Sequence, residues 1–168
     1  MVDSASFHDE APLRGVTIRQ ATVADIPDLV RLRRMMFESM GFDDPVKLDA
    51  GDVVAADYFA QAIPSGEFLG WLAITPAGEA VSTSGLVIDQ HPPGPGNLSG
   101  KTGYIMNVVT HPAYRRRGLA RRLVQAALVW LDGQGIQRAE LHATDMGRPL
   151  YESLGFAAHT GMRLEMHR

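Results

Sequence analysis

The stretch "THPAYRRRGLARRLVQAAL" at residues 110–128 decides how this chain of 168 residues is interpreted. Five arginines lie within the eight positions from Arg115 to Arg122, and Gly118 stands among them. Pro112 indicates a turn, and apolar residues at helical spacing follow the glycine, among them Leu119, Leu123 and Ala127. The stretch therefore predicts the end of a strand, a short turn and a helix that begins near Gly118.

The start of such a helix is suited to an anion. Its first N–H groups have no intrahelical partner, and the helix dipole places partial positive charge there. Gly118 has no Cβ to keep a ligand from the backbone, and Ala120 keeps the same face open. Arg115, Arg116 and Arg117 raise the local potential. The residues alone leave three interpretations open: a phosphate site, a solvated helix end and a nucleic-acid surface.

Composition bears on these alternatives. The formal net charge is −3, and no aromatic residues alternate with the arginines for base stacking, which disfavours nucleic acid as a partner. Cysteine is absent, which excludes disulfides and cysteine-bound metal, and no metal site is predicted. No apolar run approaches the roughly 20 residues that span a bilayer. We therefore expect a cytoplasmic protein without membrane association, with a flexible leader over residues 1–14 and one domain over 15–168.

The pattern of apolar residues predicts an α/β fold with the element order β-α-α-β-β-β-α-β-α-β. Such an order favours a mixed β-sheet flanked by helices on both faces. The predicted strands cover residues 16–20, 67–75, 80–89, 104–110, 138–143 and part of 155–166. The predicted helices cover residues 26–40, 52–63, 118–132 and 147–154.

The spacing Arg115-x-x-Gly118-x-Ala120 after "VVTHP" resembles the R/Q-x-x-G-x-G/A signature of the GCN5-related N-acetyltransferase (GNAT) superfamily. The resemblance implies a loop that binds the pyrophosphate of acetyl-CoA and a preceding strand whose backbone binds the pantetheine arm. Ala120 stands where glycine is commoner, which the signature permits. The positions implied for the cofactor are Val108, Val109 and Thr110 on the strand and Arg116, Arg117, Gly118, Leu119, Ala120 and Arg121 in the loop and helix start.

A second motif, "RPLYESLGF" at residues 148–156, resembles a late element of the same family. There a tyrosine is followed four and five residues later by Gly-Phe, which here assigns Tyr151, Gly155 and Phe156. The resemblance makes Tyr151 the catalytic residue, a general acid whose hydroxyl protonates the departing thiolate. Thr144 stands where many members carry an asparagine that touches the pantetheine, and its hydroxyl can replace part of that contact. The resemblance covers residues 16–166.

The implied activity is direct transfer of an acetyl group from acetyl-CoA to a primary amine of a small molecule or peptide. Backbone N–H groups near the end of "NVVT" (107–110) are suited to polarise the thioester carbonyl. The strand "YIMNVV" lacks the glutamate that serves many relatives as base. The proton of the amine then leaves through a water chain, through His142 or, less favourably, through His111, since histidine exchanges protons near neutral pH.

The acceptor pocket of such a fold is walled by the segments that correspond here to residues 38–47 and 89–101. Glu38, Asp43 and Asp44 suit a cationic amine, and a solvated acidic turn is an equally good interpretation of them. Two other functions stay open: a regulatory module that binds acyl-CoA with little catalysis, and a transferase of a bulkier acyl group. Members of the family often dimerise, so a homodimer is a further expectation.

Overall fold

The computed structural model describes residues 14–166. The predicted leader at 1–14 lies outside this part of the chain except for its last residue. The elements in chain order are β1 (Thr17–Gln20), α1 (Ile26–Ser39), α2 (Pro45–Ser65), β2 (Leu69–Ile74), β3 (Ala80–Gln90), β4 (Lys101–Thr110), α3 (Leu119–Gly133), β5 (Ala139–Glu140) and α4 (Arg148–Ser153). Short 3-10 turns occupy Val23–Asp25 and Pro112–Tyr114. None of the helices in the described part of the chain combines the length and apolar character needed to cross a bilayer.

Five strands form one sheet in the order β1-β2-β3-β4-β5. The first four are antiparallel to their neighbours, whereas β5 runs parallel to β4 after the crossover through α3. Two apolar clusters cover the two faces, one built with α3 and α4 and the other with α1 and α2. The predicted mixed sheet with helices on both faces is therefore confirmed.

Side-chain alternation along β2 explains why helices are needed on both faces. Leu69 and Trp71 pack into the α3 cluster, whereas Leu72, between Trp71 and Ala73, packs against α1 and α2. Successive strand residues point to opposite faces, so a strand that is apolar throughout must be covered twice. Leu123 of α3 is fully buried, and burying a leucine stabilises a fold by about 1.5–3 kcal/mol.

The second helix begins seven residues earlier than the sequence predicted. The Asp44 carboxylate accepts hydrogen bonds from the backbone N–H groups of Val46 and Lys47 and so caps α2. Pro45 occupies the first helical position, where its missing N–H costs nothing. The predicted start at residue 52 was therefore wrong, because this capping signal was not recognised.

The end of the chain also differs from the prediction. β5 has two residues instead of six, and residues 155–166 contain no strand. The side chains of Met162, Leu164 and Met166 alternate as in a strand but are exposed. Alternation alone does not make a strand, because the backbone also needs a neighbouring strand to pair with, and no described strand pairs with this segment.

Candidate active site

A β-bulge interrupts β4 at Asn107. Thr83 of β3 pairs with Val109, and Gly85 pairs with Met106, so Ser84 faces two residues of β4. Asn107 adopts a positive φ of 51°, a conformation that asparagine tolerates better than most residues. The Ser84 Oγ is buried and makes no hydrogen bond to the described part of the chain. The bulge bends the strand and changes which face its later side chains occupy.

The bulge lies just after the point where β4 loses its neighbour. β4 pairs with β5 only at Gly103–Ala139 and Tyr104–Glu140. From Ile105 to Thr110, no described strand pairs with this edge of β4. The outward-facing backbone N–H and C=O groups of this edge are thus available to an extended ligand that lies alongside the strand, as a further strand would. The carbonyl oxygens of Val109 and Thr110 already accept hydrogen bonds from Ser82 Oγ and the Arg115 guanidinium.

The turn after β4 presents backbone donors. Gly118, immediately before α3, has a φ of 75°, and Arg116 has a φ of 63°. The backbone N–H groups of Gly118, Leu119, Ala120 and Arg121 have no acceptor within residues 14–166. A Cβ at Gly118 would meet no atom within 4 Å, so the glycine is required by its backbone conformation and faces open space.

The arginines of this turn do not form one uniform basic patch. Arg115 donates to the Thr110 carbonyl oxygen (3.1 Å), and Arg121 donates to Ser153 Oγ on α4 (2.6 Å). Arg122 reaches the Val16 carbonyl oxygen (3.4 Å). Much of the cluster therefore connects β4, α3 and α4, and Arg121, predicted for the cofactor, also has this structural contact.

These features fit the pyrophosphate and pantetheine of acetyl-CoA. The helix start offers neighbouring N–H donors with positive potential around them, and the glycine leaves the approach to them open. The unpaired edge of β4 is separated from those donors only by the turn of residues 111–117. Of the predicted cofactor positions, Val108–Thr110 lie at the end of β4, and Arg116–Arg121 lie in the following turn and the first turn of α3.

Tyr151 lies in the α3 cluster, where it is 9% exposed. Its ring contacts Phe156 edge-on, and a Cβ at Gly147 would lie 3.1 Å from the ring. The hydroxyl makes no hydrogen bond to the described part of the chain. Burial raises the pKa of Tyr151 above its ordinary value, so the side chain keeps its proton at neutral pH, as a general acid must.

Thr144 supports α4, which carries Tyr151. Its Oγ1 accepts a hydrogen bond from the Gly147 backbone N–H (3.2 Å), and its carbonyl oxygen accepts from Gly147 (3.1 Å) and Arg148 (3.0 Å). The hydroxyl still has its own proton to donate. The structure thus gives Thr144 a capping role beside the cofactor contact that the sequence predicted.

The two candidate histidines have different surroundings. His111 Nδ1 accepts a hydrogen bond from the Ala113 N–H and caps the turn after β4. His142 is exposed, and its Nδ1 is hydrogen-bonded to Tyr104 Oη on β4. Burial raises the pKa of Tyr104. Tyr104 precedes Met106 by two residues and so lies on the α1–α2 face of the sheet.

That cavity is a feature that the sequence did not predict. It has a volume of about 310 Å³ and lies between α1, α2 and the bulge of β4. Apolar and aromatic side chains form most of its wall. The lining includes Arg33, Val54, Ala55, Tyr58, Phe59, Phe68, Met106 and Asn107. Because Asn107 belongs both to the cavity and to the bulge, the cavity adjoins the unpaired edge of β4.

The segments predicted to wall the acceptor pocket lie elsewhere. Glu38 and Asp44 are bound to Arg34 and Lys47, and neither they nor Asp43 line the cavity. The loop 89–101 instead borders a second cavity of about 340 Å³ near the start of β4. Within residues 14–166, no group of three or more histidine, cysteine or acidic side chains is arranged to bind a metal.

Comparison with known proteins agrees with the observed fold. The model of the acetyltransferase (GNAT) family matches residues 27–156. A glucosamine 6-phosphate N-acetyltransferase of Trypanosoma brucei brucei is 35% identical over 65 residues. That alignment spans 38% of this chain and 44% of the trypanosomal protein, so the curated relative is matched over less than half its length.

Two solved structures match nearly the whole described chain. The GCN5-related N-acetyltransferase of Ralstonia eutropha JMP134 is 30% identical, with a TM-score of 0.81 over 90% of this chain and 99% of that one. A predicted acetyltransferase of Clostridium acetobutylicum, in its structure with acetyl-CoA, is 26% identical, with a TM-score of 0.79 over 90% and 96%. Family match and fold agree: the chain belongs to the GNAT family, whose members are acetyl-CoA-dependent acetyltransferases.

Proposed function

We propose that this protein transfers the acetyl group of acetyl-CoA directly to a primary amine of a small molecule or peptide. The observation that carries the proposal is the continuity of three features. The N–H donors at the start of α3 follow the unpaired edge of β4 after one short turn, and that edge contains the bulge at Asn107, a residue that also lines a cavity of about 310 Å³. A cofactor and an acceptor would therefore meet at the bulge.

Acetyl-CoA, when bound, supplies a thioester that is already activated for acyl transfer. The N–H groups of residues 118–121 would hold its pyrophosphate, and the backbone of Val108–Thr110 would orient its pantetheine arm. Backbone N–H groups at the end of β4 would polarise the carbonyl oxygen as fixed dipoles. Such groups need not reorganise during the reaction, because the sheet already holds them.

Tyr151 would hold the proton that the thiolate needs. Its hydroxyl has no competing acceptor in the described chain, and α4 is held to α3 by the Arg121–Ser153 hydrogen bond. The capping contacts of Thr144 fix the start of the same helix. We expect these contacts to keep Tyr151 Oη in one position, which is what efficient proton donation requires.

The amine must lose a proton before it attacks. His142 is a reasonable acceptor for that proton, because the hydrogen bond to Tyr104 orients its ring and leaves Nε2 available. With Nδ1 as the donor to Tyr104, Nε2 carries the free lone pair. A chain of water molecules is the alternative. Two variants, His142→Gln and Tyr104→Phe, distinguish His142 from the water chain as the route of the proton. The water chain predicts little change in kcat for either variant.

The experiment that tests the proposal is calorimetric titration with acetyl-CoA and CoA, followed by an assay of CoA thiol release with a panel of primary amines. We expect micromolar binding that Gly118→Glu abolishes, together with release that depends on the amine. Absence of binding by the wild-type protein would refute the proposal. Binding without any release would instead favour the acyl-CoA-binding module, and release with longer acyl-CoA only would favour the transferase of bulkier groups.

A further inference from the structure

The cavity beside the bulge has one charged residue among its described lining. Apart from Asn107, its other described side chains are apolar or aromatic, with Tyr58, Phe59 and Phe68 grouped at ring distances of 4.8–6.1 Å. The exception is Arg33 of α1, which is half-buried. A cation at the wall of an apolar cavity is costly unless something compensates its charge.

The neighbouring arginines of α1 already have carboxylate partners. Arg34 binds Asp49 (2.6 Å) and Asp52 (2.8 Å), and Arg31 binds Asp28 (2.8 Å). Arg33 makes neither a salt bridge nor a hydrogen bond within residues 14–166. Its guanidinium lies 4.6 Å from the centre of the Phe37 ring, which leaves its N–H donors unsatisfied by protein.

The electrostatics of Arg33 point in the same direction. Burial lowers the pKa of its guanidinium, opposed by attraction to Asp52; the group nevertheless stays charged at any ordinary pH. Since Asp52 is already held by Arg34, it cannot neutralise Arg33 fully. A planar guanidinium with free donors fits a carboxylate or a phosphate, which it binds with two parallel hydrogen bonds.

We propose that Arg33 binds an anionic group, a carboxylate or a phosphate, on the amine acceptor, while the aromatic wall of the same cavity holds the acceptor's apolar part. This inference rests on the proposed function. It makes the acceptor an anionic primary amine of the kind that an amino acid or an amino-sugar phosphate represents. Arg33 lies on the α1–α2 face of the sheet, opposite α3, so it should not contribute to binding of the cofactor's pyrophosphate.

Two matched pairs of amines test the inference and separate the two anions. L-Phenylalanine is compared with L-phenylalaninamide for a carboxylate, and glucosamine 6-phosphate with glucosamine for a phosphate. Thiol release is measured at saturating acetyl-CoA for the wild type and for Arg33→Gln. Arg31→Gln is the control, because Arg31 lies on the same helix, does not line the cavity and already binds Asp28 and the Ala80 carbonyl oxygen.

We expect the wild type to favour the anionic member of one pair by about tenfold or more in kcat/KM, as one charge-assisted hydrogen-bonded pair supplies. Arg33→Gln should remove most of that preference through KM and leave kcat and the affinity for acetyl-CoA unchanged. Arg33→Lys should restore part of it, and Arg31→Gln should match the wild type. No preference in either pair, or a preference that survives in Arg33→Gln, would overturn the inference.

A binding experiment decides the matter if none of the four amines is acetylated. Calorimetry compares 3-phenylpropionate and phenyl phosphate with neutral 3-phenylpropanamide, on the wild type and on Arg33→Gln. Tighter binding of an anion, lost in the variant, supports the assignment; equal binding of all three ligands refutes it. Because this readout needs no acetyl-CoA, failure of the proposed transferase activity is distinguishable from failure of the role of Arg33.

Discussion

Tyr104 on β4 and Glu140 on β5 form the last residue pair between these two parallel strands. Beyond them β4 continues for six residues, to Thr110, without a described strand on that edge. An open edge of this kind would ordinarily invite unwanted pairing with another chain. Here the unpaired edge is short and is bent by the Asn107 bulge, and the structure of this region leads to the following predictions.

Gly118 should control affinity for acetyl-CoA. Gly118→Ala forces an L-residue to a φ of 75°, at a cost of about 1 kcal/mol, and should weaken binding moderately. Gly118→Glu also places a negative charge where the pyrophosphate would bind, and should weaken micromolar binding by so much more than about tenfold that it is no longer detected. Calorimetric titration measures both. Gly133→Ala, in the last turn of α3, is the matched control and should bind normally; equal affinity in all variants would contradict the assignment of this turn.

Tyr151→Phe should lower kcat by about a hundredfold, the lower range for loss of a general acid. Acetyl-CoA affinity should stay unchanged, because the ring keeps its packing. Since burial raises the pKa of Tyr151, the wild type should keep this proton beyond pH 10, and activity should fall only at higher pH. Pre-steady-state thiol release measures the rate. Tyr114→Phe, which removes only a 3.5 Å contact with Glu79, should behave as wild type, and a similar loss there would argue against a specific role for Tyr151.

Asn107→Val should destabilise the protein and impair activity, whereas Asn107→Gly should preserve both. A β-branched residue at a φ of 51° costs about 1–2 kcal/mol or more, because its Cβ crowds the backbone in the left-handed region. For a chain of this size, each 1 kcal/mol lowers Tm by about 2–4 °C. Thermal unfolding and thiol release measured side by side test this. An Asn107→Val variant as stable as Asn107→Gly would show that the bulge does not depend on this conformation.

Asp25 should make the free energy of unfolding depend on pH in the acid range. Two hydrogen bonds from Arg19 (2.7 and 2.8 Å), and another from the Thr22 N–H, lower the pKa of Asp25 from 3.8 to about 2. A carboxylate whose pKa is depressed by folding stabilises the fold at every pH above the pKa that it has in the unfolded chain. That contribution to stability disappears as the pH falls from about 4 to about 2. We expect about 1–2 kcal/mol, since Arg19 is partly exposed.

Chemical denaturation of the wild type and Asp25→Asn between pH 2 and pH 7 measures this contribution. The variant should be less stable at neutral pH, and the difference should narrow as acid protonates Asp25. Asp132→Asn, an exposed position near the end of α3, serves as the control. A difference that stayed constant across this range would show that ionisation of Asp25 is not its source.

The strand-turn-helix around Gly118 was predictable because its signals are local. A proline turn, a glycine and an apolar stripe in consecutive residues specify a strand end and a helix start wherever they occur. The order of elements as far as α4 and the two-sided sheet followed from similar periodicities, and the position of Tyr151 in a short helix followed from its motif. The signal for the start of α2, the cap formed by Asp44, is equally local. It was present in the sequence but was not recognised.

Other features depend on residues far apart in the chain. The bulge exists because Ser84 faces two residues of β4, and strand register is a property of two strands together. The cavity lies between α1, α2 and β4. The lack of a carboxylate partner for Arg33 in the described chain becomes evident only in the folded structure, where Arg31 and Arg34 bind the nearby carboxylates. Residues 155–166 also depend on distant parts of the chain. Their side chains alternate as in a strand, but no described strand lies beside them to pair with. The sequence by itself determined most of the elements and the cofactor motif, through short-range backbone preferences. The tertiary structure alone decided the cavity beside the bulge and its charge, because these arise where distant segments pack.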